Sequence, residues 1–153
     1  MASFPEPGAL APDFTLPDTH GTPVTLSAQR GAPVLVVFFP FAFSGICTGE
    51  LCELRDNIAA FETAGVTLYA VSCDAVFAQK AWAEQERFGF DLLSDFWPHG
   101  DVARRYGVFD DERGLALRGS FLIDGEGVLR WSVVNDRSQR RDLAGYREAL
   151  ALL

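Results

Sequence analysis

VLVVFFPFAFSGICTGELC, residues Val34–Cys52, decides how this chain is read. Its first six residues, Val34–Phe39, are apolar without alternation. That is the pattern of a strand covered on both faces, at the centre of a sheet. The run stops at Pro40. A short loop with Phe41, Phe43, Ser44 and Gly45 follows, and a helical pattern then opens with Cys47 in its first turn. Free backbone N–H groups and the positive end of the helix dipole both favour negative charge there, so a thiolate forms readily. The C-terminal edge of a strand in an open α/β sheet is also where ligands bind.

Working outward, Cys47, Leu51, Leu54, Ile58 and Phe61 keep one apolar face at helical period, which predicts a helix from about Ile46 to Thr63, stopped by Gly65. Val66–Cys73 (VTLYAVSC) reads as a second buried strand. Asp74 is placed to cap a helix from about Val76 to Phe88. Phe90–Leu93 is a short strand, Asp95–Gly100 a loop, and Val102–Tyr106 a short helix. Arg118–Asp124 and Val128–Val134 are strands joined across Gly125-Glu126-Gly127, and about Arg141–Leu152 forms a last helix. Upstream, residues 1–12 read as an extended arm. Phe14–Leu16 and Val24–Leu26 flank a turn at Asp18-Thr19-His20-Gly21. This order implies an α/β domain with a mixed central sheet. A thioredoxin-like three-layer fold with an N-terminal hairpin extension fits it, as one domain over residues 1–153 with no internal repeat.

Composition narrows the functions. A net charge of −8 argues against nucleic acid or an anionic membrane surface as partner. The longest apolar run is far short of the roughly 20 residues of a membrane span. No export signal is visible, so a cytoplasmic setting is expected. The three cysteines, Cys47, Cys52 and Cys73, are an odd number and do not read as a disulfide framework. With two histidines and no C-x-x-C pair, a metal site is not expected. Thiol chemistry remains, or buried cysteines without a role.

Pro40-Phe41-Ala42-Phe43-Ser44-Gly45-Ile46-Cys47 matches the peroxiredoxin pattern P-x-x-x-[T/S]-x-x-C. APDFTLPDTHG, VVFFPFAFSGICTGEL, LLSDFWPHGDVARRYGVFD and RGSFLIDGEGVLR resemble peroxiredoxin blocks in the family's order, and cover most of the chain from Ala11 onward. FAFSGIC and SDFWPHG most resemble the alkyl hydroperoxide reductase E (AhpE) subfamily. The resemblance implies a cofactor-free peroxidase of hydrogen peroxide and organic hydroperoxides, and a homodimer. It places Cys47 on the peroxidatic cysteine, Ser44 on the hydroxyl position and Pro40 on the motif proline. Arg118 falls on the catalytic arginine, and Glu50 on a position that orients that arginine. Phe39, Phe41, Phe43, Phe96 and Trp97 are candidates for an apolar collar, or equally for core or a subunit contact.

Cys52 lies five residues after Cys47, about 140° round a helix and roughly 7.5 Å along it. Disulfides need Cα atoms within about 7 Å and facing Cβ atoms, so the two bond only if the first turns unwind. Gly49 between them eases that. The C-x4-C spacing resembles the peroxiredoxin Q group, where the second cysteine resolves the first, whereas the AhpE pattern has no cysteine there. Two cycles are therefore carried forward. In one, a Cys47–Cys52 disulfide is recycled by thioredoxin or another dithiol. In the other, a Cys47 sulfenic acid is reduced by a low-molecular-weight thiol with a mycoredoxin-like partner. Cys73, ending a strand expected beside Val34–Phe39, reads as a buried thiol that could approach Cys47. A redox-sensing interaction module without useful turnover is the reading from another class.

Overall fold

A five-stranded mixed sheet forms the frame of a computed structural model that describes residues 4–153. The strands and helices follow in chain order. β1 (Thr15–Pro17) and β2 (Pro23–Thr25) form an N-terminal hairpin, and β3 (Val34–Phe38) leads into α1 (Gly45–Asp56) and α2 (Ile58–Thr63). Then come β4 (Thr67–Ser72), α3 (Val76–Glu86), β5 (Asp91–Ser94) and α4 (Asp101–Arg105). A small hairpin of β6 (Phe109–Asp110) and β7 (Leu115–Ala116) precedes β8 (Arg118–Ile123), β9 (Leu129–Asn135) and α5 (Leu143–Leu150).

The sheet order is β5-β4-β3-β8-β9. β3 pairs in parallel with β4 and antiparallel with β8, which puts it at the centre. Every residue of β3 is buried, as its unbroken apolar run requires. The pleat divides that run between two cores. Val34, Val36 and Phe38 join Phe14, Tyr106 and Phe121 on one face. Leu35, Val37 and Phe39 join Leu51, Leu54, Phe61, Trp82 and Tyr146 on the other, beneath α1, α2, α3 and α5. The arm before β1 is tied to the β8–β9 turn, with Leu10 bridging Val128 and the Gly8 N–H donating to Leu129 O at 2.8 Å. Among the described residues no helix is long and apolar enough to cross a membrane.

Most elements lie within one or two residues of the expected positions. The expected helix from Ile46 to Thr63 is instead two, separated by Asn57 (φ −117°, ψ 17°), whose side chain bonds the Glu53 carbonyl at 2.8 Å. An asparagine that offers the backbone a local hydrogen bond competes with helix propagation. Asp74 does not cap α3. Ala75 stands at that cap, and the Asp74 carboxylate is engaged elsewhere.

Candidate active site

The loop after β3 is fixed from both ends. The Phe39 N–H donates to Val71 O at 2.9 Å, extending the β3–β4 pairing by one residue, and Pro40 is buried after it. Asp74, at the end of β4, accepts the Ala42 N–H at 2.8 Å and the Ser72 hydroxyl at 2.7 Å. Phe43 adopts φ 69°, a left-handed conformation that strains a bulky residue by roughly 1–3 kcal/mol. Its ring lies 6.2 Å from that of Trp82. Ser44 is the N-cap of α1, and its carbonyl accepts the Thr48 N–H at 2.9 Å. Cys47 stands in the first turn, where helix geometry leaves N–H groups without an intrahelical acceptor.

Cys47 is completely buried, within a cluster of charges. Arg118, the first residue of β8, directs Nη1 at the Cys47 Sγ from 3.3 Å. The same nitrogen donates to Glu50 Oε1 at 2.5 Å, and Nε donates to the Arg137 carbonyl at 2.8 Å. Glu50, one turn after Cys47, also accepts from Arg141: the backbone N–H at 2.7 Å, Nε at 3.0 Å and Nη2 at 2.9 Å. Arg141 Nη1 continues to the Gly119 carbonyl and the Ser120 hydroxyl, both at 3.0 Å. Burial alone would raise the Glu50 pKa. The hydrogen bonds and charge of Arg141, with the charge of Arg118, outweigh it and hold the carboxyl below its ordinary value. Two guanidiniums against one carboxylate leave a buried excess of one positive charge, beside a sulfur that can carry the negative one.

A cavity of about 230 Å³ opens over this cluster, lined among others by Pro40, Phe41, Ser44, Ile46, Arg118 and Arg137. The Ser44 hydroxyl is buried with no hydrogen-bond partner, so it does not bond the Cys47 sulfur. A buried unpaired hydroxyl beside a cavity is a donor and acceptor held for something that enters. The aromatic residues that were candidates for a collar divide between the two readings. Phe41 lines the cavity, whereas Phe39 is fully buried in the core against Trp82, and Phe96 and Trp97 stand exposed outside the lining.

The structure thus brings Pro40, Ser44, Cys47, Glu50 and Arg118 to one place. Cys52 lies on the intact α1, half-buried, and its thiol donates to Glu86 Oε2 at 3.4 Å. Burial first, then Glu86, pushes its pKa up. Burial pushes the Cys73 thiol to about 12, helped by Asp95 and Asp74, so Cys73 stays protonated at neutral pH. Sequence reading missed Arg141, 4% exposed, and the part of Arg137. The one available signal was the arginine density of Asp136–Arg141 (DRSQRR), which reads locally as a solvated turn.

Known proteins resemble this chain in sequence and fold over most of its length. The AhpC/TSA family model matches residues 7–132. Alkyl hydroperoxide reductase E of Mycobacterium tuberculosis is 48% identical over 147 residues, covering 95% of this chain and 96% of that protein. Peroxiredoxin 2 of Thermoplasma acidophilum is 36% identical over 132 residues, covering 82% of this chain and 65% of its own length. Among solved structures, peroxidoxin BcpB of Mycobacterium tuberculosis superposes with a TM-score of 0.83 at 34% identity, covering 96% of this chain and 95% of its own. Enterococcus faecalis AhpC gives 0.86 at 27% identity, covering 95% and 90%.

Proposed function

The chain belongs to the AhpC/TSA family of peroxiredoxins and is a thiol-dependent peroxidase, and on that premise we propose that Cys47 is the thiol that attacks the peroxide. The observation that carries this is the Arg118 nitrogen 3.3 Å from the Cys47 sulfur, within a buried cluster left one negative charge short. A thiolate there neutralises the cluster, and a thiolate is the form that reacts. Its electron pair goes to one peroxide oxygen. An S–O bond forms as the O–O bond breaks, and the other oxygen leaves as hydroxide or alkoxide and takes a proton from water. Sulfur is oxidised by two electrons to a sulfenic acid, and the peroxide is reduced by two. Arg118 and the Ser44 hydroxyl are the donors for the charge that develops on oxygen. Glu50, held by Arg141, orients Arg118. Pro40 and Phe41 wall the cavity, which has room for hydrogen peroxide and for organic hydroperoxides.

Resolution in this reading is by Cys52. Both thiols sit on α1, a helix of twelve residues, so the first turns must open before the sulfurs meet. The Cys52 sulfur then bonds Cys47 as the sulfenic oxygen leaves as water. Thioredoxin or another dithiol reduces the disulfide. A one-cysteine cycle, in which a low-molecular-weight thiol or a mycoredoxin-like protein reduces the sulfenic acid, is favoured by one observation. α1 is tied down at Glu50 and Glu53, and Cys52 is held by Glu86. The chain is taken to act as a single cytoplasmic domain over residues 1–153, paired as a homodimer.

Peroxide consumption with excess dithiol tests the first claim. Cys47→Ser is expected to abolish it, and activity retained in that variant would remove Cys47 from the mechanism. Mass mapping after one equivalent of peroxide separates the cycles. A Cys47–Cys52 disulfide is expected. Its absence, with Cys52→Ser turning over normally, transfers the assignment to the one-cysteine cycle.

A further inference from the structure

Glu86 is oddly placed for an acid. It is the last residue of α3, where the carbonyl end of the helix already concentrates negative charge and disfavours a carboxylate. Arg55, its nearby cation, does not settle on that carboxylate. Arg55 donates Nη1 to the Glu86 backbone carbonyl at 2.6 Å and gives Nε to Asp56 at 2.9 Å, and it comes no closer than 3.9 Å to the Glu86 carboxylate. One Glu86 oxygen accepts from Gln85 Nε2 at 3.3 Å. The other accepts the Cys52 thiol at 3.4 Å, across the contact between α1 and α3. The charged groups around this thiol are therefore Glu86 from α3, and Arg55 and Asp56 from its own helix. Two carboxylates outnumber one guanidinium. Where Cys47 faces an excess of positive charge, Cys52 faces an excess of negative charge, five residues along the same helix.

We propose that Glu86 is a positioning residue that parks Cys52 as a neutral thiol for as long as α1 is helical. This rests on the reading of Cys52 as the resolving thiol. An accepting carboxylate holds the proton on sulfur, and a protonated sulfur neither attacks the sulfenic acid nor reacts with peroxide itself. Opening the first turns of α1 carries Cys52 off Glu86, and only then does the thiol become a nucleophile. The bond that forms is S–S and the bond that breaks is the sulfenic S–O. The Cys52 proton and the departing hydroxide leave together as water. The order of events is thereby built into the fold: Cys47 reacts first, because its neighbour is held unreactive by an acid on another helix.

The test has two arms. In Cys47→Ser/Cys73→Ser protein, Cys52 is the sole thiol, and its alkylation by iodoacetamide is followed from pH 6 to 10. Glu86→Gln is expected to shift the profile to lower pH by about one unit, giving roughly tenfold faster alkylation below the midpoint, and Glu86→Asp to restore much of the parent profile. An unmoved profile overturns the proposal. In Cys73→Ser protein, the rate of Cys47–Cys52 disulfide formation after one equivalent of peroxide is measured with and without Glu86→Gln. At least threefold acceleration supports gating, and an unchanged rate refutes it. A shifted alkylation profile with no disulfide in either protein shows that the resolving reading itself is what failed, and the gating role falls with it.

Discussion

Replacing Arg118 by methionine removes a cation that touches both Cys47 and Glu50, and leaves a side chain of similar length in a site that is 2% exposed. Unit charges at the 3.3 Å separation of nitrogen and sulfur interact by about 5 kcal/mol at an effective dielectric constant near 20. The guanidinium charge is spread over three nitrogens, Nη1 is shared between the sulfur and Glu50, and Nε points to the Arg137 carbonyl, so about 3 kcal/mol acts on sulfur and on the departing oxygen. That is roughly a 150-fold loss in the second-order rate of Cys47 oxidation. Stopped-flow mixing of reduced protein with hydrogen peroxide, quenched and read by mass spectrometry, gives this constant directly. Arg118→Lys keeps the charge without the fork that reaches sulfur, carboxylate and carbonyl together, and is expected to lose about tenfold, in line with the difference between the two cations. A folded Arg118→Met protein within fivefold of the parent would refute the charge argument.

Ser44→Ala separates a structural hydroxyl from a working one. Its oxygen is buried without a partner, so thermal stability is expected to stay level or rise slightly, while peroxide reactivity falls about tenfold; a lower melting temperature with unchanged reactivity contradicts the assignment. Arg141→Met leaves Glu50 with Arg118 alone and is expected to destabilise by about 3–5 kcal/mol in urea denaturation, since a buried charge loses its main partner. Glu50→Gln is expected to lose its stability deficit in acid. The folded-state pKa lies below the ordinary 4.5, so the stabilisation from ionised Glu50 is fully present above about 4.5 and disappears as pH falls through the lower folded value. Denaturation at pH 7 and pH 3.5 is therefore expected to show the parent's advantage over Glu50→Gln shrinking on acidification; a constant difference contradicts it.

What could be read from sequence was what is encoded locally. Val34–Phe39 declares a central strand because both faces are apolar, and the proline, hydroxyl and cysteine of Pro40–Cys47 mark a candidate site through their match to a family pattern. Arg118 was found because it opens a strand within a recognisable block. Arg141 was not, since its role exists only after β9 turns back over α1 and drops it onto Glu50 from ninety-one residues away. The break at Asn57 was hidden by the periodicity itself, because Leu54, Ile58 and Phe61 face one core across both helices. The β6–β7 hairpin was missed because two residues a side carry no readable period.

Two sets of ion pairs hold α1 closed, and they differ in strength. Arg140 pairs with Glu53 and donates to the Gly49 carbonyl at 3.3 Å, but that ion pair is roughly half-exposed and worth about 0–1 kcal/mol. The buried pairs of Glu50 with Arg118 and Arg141 are the ones whose rupture is expensive. In the proposed cycle those pairs are the ones that chemistry disturbs. A Cys47 thiolate and Glu50 together balance the two arginines, and a neutral sulfenic acid does not. Oxidation thus removes one of two anions on the first turns of α1 and restores a buried positive excess, which is relieved when the cluster opens to water. On the proposal that Cys47 reacts as a thiolate and Cys52 resolves it, the peroxide step would weaken the fastening that the resolving step has to undo.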